Sequence, residues 1–231
     1  VSFTEFDLEN GLHVILHQDN SAPVVITSVM YDVGGKDRAE GRTGFAHFFE
    51  HLLFEGSENI GRGEFMKIIP ANGGTFNAYT SNDETYYYEV FPSNKLELGL
   101  WMESERMLHP VIDQVGVDTQ REVVKEEKRQ RYDSPYGKLF KVLGENLFKV
   151  HPYKDENIGK MEHINAATLD EFMLYFDKYY TPTNAVLVVA GDIDLEETKG
   201  LVEKYFSDVK PRPKPTRSFP KEDPISEVSR V

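Results

Sequence analysis

The stretch Thr43-Gly44-Phe45-Ala46-His47-Phe48-Phe49-Glu50-His51-Leu52-Leu53-Phe54-Glu55-Gly56 decides how this chain is read. Phe45, Phe48, Phe49, Leu52 and Leu53 recur at helical spacing, so an amphipathic helix with one face in a core is expected. Thr43 stands where an N-cap belongs and Gly56 where a helix stops. His47 and His51 then lie about 40° apart and about 6 Å along the axis, at 100° and 1.5 Å per residue.

Outward from this helix the pattern changes character. Before it, residues 3–8 and 12–17 flank Glu9-Asn10-Gly11 and read as a hairpin. The β-branched run 24–33, closed by Gly34-Gly35, reads as a longer strand. After it, 63–69 is expected to be a short helix. Residues 74–80 and 85–91 flank Ser81-Asn82-Asp83-Glu84, which has the turn chemistry of a second hairpin. Helices are expected at 94–108, 113–132, 136–149, 168–179 and 195–206. The apolar run 185–190 reads as a buried central strand. Strands first, helices in the middle and a late strand–helix return imply an α+β fold, a mostly antiparallel β-sheet with helices packed on it.

From Pro211 onward, Pro213, Pro215, Pro220 and Pro224 alternate with charges, the composition of a stiff, extended segment. The expected division is a domain at 1–210 and a Pro-rich linker at 211–231, directed towards a second domain absent from this chain.

Composition narrows the function. The 231 residues suffice for a substantial core. Acidic residues outnumber basic ones 39 to 26, a net charge of −13 that argues against nucleic acid and anionic membranes as partners. No apolar run approaches the length of a membrane span. There is no leader pattern at the N-terminus, so any signal peptide is expected to be already gone or never to have existed, and for a protein expected to be soluble the compartment stays open between cytoplasm and periplasm. Cysteine is absent, which excludes disulfides, thiolate metal sites and cysteine nucleophiles together.

Two imidazoles one helical turn apart can reach one ion. Glu50, about 60° from His47 on the other side, can touch a water on that ion without ligating it. This reads as a zinc site in which His47 and His51 bind metal and Glu50 is the general base. The competing reading is a pair of histidines bonded to backbone. A carboxylate directly before the second histidine favours metal, because burying one without a purpose is costly. His-x-x-Glu-His is also the inverted zincin pattern.

A catalytic zinc needs a third protein ligand, here His or carboxylate. The helix expected at 113–132 offers Glu122, Glu126 and Glu127. Val123 and Val124 mark its expected buried face, and Glu127 points the same way. Glu126 is nearly as well placed, and spacing alone does not separate them; a solvated charged helix is the plain alternative. His13, His17, His109, His151 and His163 fall outside any ligand spacing. Gly34-Gly35 and Gly61-Arg62-Gly63 lack the lysine and flanking elements of a phosphate-binding loop, so nucleotide binding is not expected.

With Gly44 before it and Leu53-Phe54-Glu55-Gly56 after it, the His47–His51 motif resembles the active-site helix of the pitrilysin (insulinase) family of zinc peptidases. The resemblance runs from Leu8-Glu9-Asn10-Gly11-Leu12 to the 184–192 region. It implies a zinc-ligating Glu some 75 residues beyond the second histidine, which selects Glu127 over Glu126. It implies that Gly73-Gly74-Thr75-Phe76-Asn77-Ala78-Tyr79-Thr80 is a substrate-binding edge strand, with Asn77, Ala78 and Tyr79 holding an extended peptide through backbone hydrogen bonds. A supporting Glu upstream of the ligand is also implied. Glu122 is the nearest match, although it lies about 140° from Glu127 around an ideal helix.

The implied function is a zinc metalloendopeptidase domain with Zn2+ as cofactor, hydrolysing peptides or unfolded polypeptides. A second homologous half, either a C-terminal half or a partner subunit, is expected for full activity. The alternative from another class is a non-catalytic scaffold or partner subunit of a peptidase-like assembly.

Overall fold

The computed structural model describes residues 2–228 and 230. At its centre is a six-stranded sheet in the order β1 (Thr4–Asp7), β2 (His13–Gln18), β6 (Ala185–Gly191), β3 (Val24–Tyr31), β5 (Thr85–Pro92) and β4 (Thr75–Thr80). The fold is α+β, and among the described strands only the β2–β6 pairing is parallel. Parallel neighbours cannot be joined by a hairpin. Here the connection runs from residue 19 to residue 184 and contains β3, β4 and β5 as well as the helical middle of the chain. β6 lies between β2 and β3, with Ala185, Leu187 and Val189 buried.

The helices are α1 (Phe45–Leu52), α2 (Phe65–Ala71), α3 (Leu96–Leu108), α4 (Gln114–Asp133), α5 (Leu139–Leu147), α6 (Met161–Ala166), α7 (Leu169–Tyr179) and α8 (Leu195–Phe206). Three differ from the periodicity reading. The helix expected to stop at Gly56 ends at Leu52, with Leu53 as its C-cap. The helix expected at 136–149 is shorter, because Tyr136 takes a left-handed φ of 60° and helix cannot begin there. The pattern gives no helix for the α6 segment; six residues with Ile164 as their one buried side chain show no periodicity to detect.

Thr43 does not cap α1. Gly44 is the N-cap, at φ 92°, with no side-chain cap. Thr43 Oγ1 instead accepts from Lys160 N at 2.9 Å and meets His163 Nδ1 at 2.8 Å. The glycine is required twice over: its φ is left-handed, and a Cβ there would stand 2.9 Å from Gly159 Cα. The start of α1 and the 158–160 segment thus pack backbone against backbone.

The apolar face of α1 is held from two sides. Phe45 and Phe48 stack on Phe172 of α7, with centroids 4.6 and 4.5 Å apart, and Phe49 packs against Tyr175 and Tyr180. From the sheet, Tyr87 Oη donates to Phe49 O at 2.9 Å. Just past the helix, the fully buried Arg106 donates to Leu53 O and pairs with Glu89 and Glu103 at 2.9 and 2.6 Å. The Phe54 and Tyr87 rings lie 4.7 and 4.8 Å from its guanidinium. A buried ion cluster is weak evidence of net stability, but its directional bonds fix geometry. Here they fix where α1 ends.

Residues 211–228 form no helix or strand. They lie along the body: Arg217 pairs with Asp32 and Asp37, and Glu222 Oε1 accepts from the N–H groups of Lys149, Val150 and His151 at 2.9, 2.8 and 2.6 Å.

Candidate metal centre

α1 and α4 cross so that three side chains meet. His47 Nε2 stands 3.3 Å and His51 Nε2 3.4 Å from one oxygen of Glu127, Oε2. One donor atom from each residue lies within 4.8 Å of the other two. Donors about 2.0–2.1 Å from a tetrahedral zinc stand roughly 3.3 Å from one another, so both histidine–glutamate separations fit such an ion. Two imidazoles, one carboxylate and no thiolate also form a donor set suited to catalytic zinc. Burial opposes ionisation of Glu127, but hydrogen bonding and charge from His47 and His51 outweigh it and hold the carboxyl well below the usual range.

The neighbouring acids turn elsewhere. Glu126 is held by Arg129 and Gln130 on the solvent side of α4. Glu122 is exposed and paired with Lys125 at 2.7 Å. Val123 corrects the expected buried face: it is 43 % exposed, while Val124 is fully buried. Glu127 still follows Val123 by one turn, on a stripe that faces the rim of the site rather than the core.

Glu50 lies beside the histidines, and its Oε2 accepts from Thr80 Oγ1 at 2.7 Å. The candidate base is thereby tied to the outermost strand of the sheet. β4 pairs only with β5 among the described strands, leaving its other side as an edge. Strand alternation then sorts its side chains. Thr80 faces α1, Phe76 packs on Phe54 at 5.4 Å, and Ala78 lines a recess of about 180 Å³ with Glu50, His51 and Gln120. Tyr79 alternates to the other face, where its ring lies 5.4 Å from Tyr86, and its N–H and C=O turn towards β5, opposite to those of Ala78. Asn77 Oδ1 accepts from Ala78 N at 2.9 Å.

Sequence reasoning placed Thr80 on the edge strand but missed its bond to Glu50, and it missed Gln120 altogether. Gln120 precedes Glu127 by seven residues, two turns on the same stripe, a spacing that could have found it. Its Nε2 donates to Glu55 Oε1 at 2.5 Å. Glu55 pairs in turn with Arg62, and Arg62 Nη2 holds both oxygens of Asp113 at 2.9 Å. Asp113 caps α4 through Gly116 N at 2.7 Å. This chain of bonds locks the end of α1 to the start of α4. The remaining histidines serve locally: His13 meets Asp7, His17 meets Ser2 O, His109 lies near Glu58, His151 accepts from Tyr153 N, and His163 meets Thr43.

A second cavity of about 390 Å³ opens beside His47. Phe140, Leu143, Leu147, Phe148, Tyr153 and Arg131 line it. No helix among the described residues is long and apolar enough to cross a membrane.

Known proteins match this arrangement along nearly the whole chain. The family model "Insulinase (Peptidase family M16)" matches residues 13–160, and "Peptidase M16 inactive domain" matches 166–231. The zinc protease PqqE of Helicobacter pylori is 34% identical over 223 residues, covering 94% of this chain and 50% of that protein. A probable mitochondrial-processing peptidase subunit beta of Schizosaccharomyces pombe is 27% identical over 204 residues, covering 88% of this chain and 45% of that protein. The crystal structure of a protease from Helicobacter pylori superposes with a TM-score of 0.88 at 32% identity, over 95% of this chain and 53% of that one. The first half of the periplasmic protease PqqL from Escherichia coli shares the fold, with a TM-score of 0.87 at 24% identity, over 95% of this chain and 49% of that one. The chain spans about half the length of the curated relatives it matches. A family model matched over most of the chain, and a relative at this identity, place it by descent as well as by shape: the chain belongs to the insulinase family, peptidase family M16.

Proposed function

We propose that this chain is a zinc metalloendopeptidase domain that hydrolyses peptide bonds in peptides or unfolded polypeptides. The observation that carries the reading is the convergence of His47, His51 and Glu127 on one point, with Glu50 beside it. These three residues would hold zinc, which would supply Lewis-acid polarisation of a carbonyl and lower the pKa of water to about 7.

The chain's own residues do the rest. Glu50 takes a proton from the attacking water and delivers it to the leaving amine. Thr80 Oγ1, donating to Glu50 Oε2, orients that carboxylate towards the edge strand. β4 accepts an extended substrate as an added strand, held by main-chain hydrogen bonds that are indifferent to side-chain identity. Asn77, Ala78 and Tyr79 are the contact stretch, with Ala78 presenting its N–H and C=O to the free edge while those of its two neighbours turn towards β5. For Ala78 to donate to the substrate, the Asn77 side chain swings off its N–H.

A second homologous half, on the same chain or on a partner subunit, completes the enzyme. The match to about half of each relative supports this. We place the boundary at residue 210, with 211–231 leading towards that half.

The test combines elemental analysis with peptide cleavage by the whole protein. Glu50→Gln is expected to retain about one zinc per chain while turnover falls by at least about 100-fold. Full activity in Glu50→Gln would remove the base assignment, and no zinc in the unmutated protein would remove the metallopeptidase reading.

A further inference from the structure

We propose that Arg131 is a positioning residue for the metal centre, holding Glu127 so that it ligates through a single oxygen. This rests on reading His47, His51 and Glu127 as the ligands. The two oxygens of Glu127 are divided between two neighbours. Oε2 faces both histidines at 3.3 and 3.4 Å, whereas Oε1 accepts from Arg131 Nη2 at 3.1 Å.

The division matters because a carboxylate can bind a cation through one oxygen or both. Two histidines and a single carboxylate oxygen leave a four-coordinate zinc one position for water or substrate, as a catalytic site requires. A carboxylate binding through both oxygens takes that position. Arg131 engages Oε1 with a planar, permanently charged group, which fixes the rotation of the carboxylate plane.

An exposed ion pair at this helical spacing contributes little to stability, so the effect of the pair lies in orientation. Its surroundings agree with that. Arg131 lines the 390 Å³ cavity together with His47, next to the site. Arg129, two residues earlier, pairs with Glu126 on the opposite side and faces solvent. The chain therefore carries a built-in control of the same chemistry.

The experiment compares the whole protein with Arg131→Met, Arg131→Lys and Arg129→Met. Zinc affinity is measured by chelator competition, and coordination is read from visible absorption after cobalt(II) replaces zinc. Arg131→Met is expected to lose about 10- to 100-fold in zinc affinity, the usual cost of losing a group that orients a ligand. Its cobalt absorption should weaken, as it does when coordination number rises. Arg131→Lys should recover part of both, and Arg129→Met should match the unmutated protein. A cobalt spectrum unchanged in Arg131→Met overturns the proposal. Failure of the unmutated protein to bind either metal overturns instead the ligand reading beneath it.

Discussion

Thr80 Oγ1 donates to Glu50 Oε2 at 2.7 Å, so the outermost strand of the sheet holds the candidate base of the neighbouring helix. The bond joins the surface proposed to bind substrate to the group proposed to move the proton. Substrate added to β4 would press on the strand that orients Glu50.

Thr80→Val keeps the shape of the side chain and removes the donor. A hydrogen bond to a charged acceptor contributes about 1.5–3 kcal/mol. Thr80→Val is therefore expected to lower kcat about tenfold or more in a peptide-cleavage assay of the whole protein, with KM changed less. An unchanged kcat would show that Glu50 is oriented by something else.

Gly44→Ala places a Cβ at φ 92° and 2.9 Å from Gly159 Cα. Strain of this kind costs about 1–3 kcal/mol. Urea unfolding should show that loss, together with weaker zinc binding, because the start of α1 carries His47. Gly200 has nothing near its Cβ position and is the matched control; Gly200→Ala should be neutral or slightly stabilising.

Removing metal is expected to lower the melting temperature. A ligand that binds only the folded state stabilises it by about 2.7 kcal/mol at 100 times its Kd. A chelator should therefore destabilise the unmutated protein and leave His51→Ala, already without zinc, unmoved. Equal shifts in both would point to a different metal site.

Asp113 links acid stability to the position of α4. Its carboxyl lies below the ordinary value because Gly116 N–H donates to it, and Arg62 lowers it further against the opposing effect of burial. A depressed folded-state pKa means that its stabilisation is present above the unfolded value near 3.9 and is lost as pH falls through the folded value. Asp113→Ala should cost about 1 kcal/mol at neutral pH, chiefly from the lost cap. The gap between the two proteins should close below about pH 4. A gap that stays constant down to pH 2 would assign the loss to something other than the ionised carboxylate.

The parts of the site that were legible in the sequence are those that one helix carries. Periodicity around Phe45, Phe48 and Phe49 sets the helix, and helix geometry then sets the angles among His47, Glu50 and His51. The hairpin around Ser81-Asn82-Asp83-Glu84 was legible for the same reason, since turn chemistry acts over a few residues. Glu126 and Glu127 could not be told apart by spacing, and Val123 was assigned to the wrong surface. A helix built almost wholly of charged residues has no strong apolar stripe to orient it.

Local spacing, then, determined that two histidines and a glutamate share one helix with its aromatic face in a core. Chain distances of a few residues are governed by backbone geometry, which every environment shares. Tertiary structure decided the rest: that Glu127, which family resemblance but not spacing had singled out over Glu126, meets His47 and His51, that Thr80 reaches Glu50, and that Arg131 takes the other oxygen of Glu127. The first two depend on how α1, α4 and β4 pack together. Arg131 lies only one turn from Glu127, yet its part is defined only once the histidines claim Oε2. Packing is set by volumes and hydrogen bonds brought together from distant parts of the chain, among them the Gly44–Gly159 contact and the Glu55–Arg62–Asp113 bonds. No short window of sequence contains them.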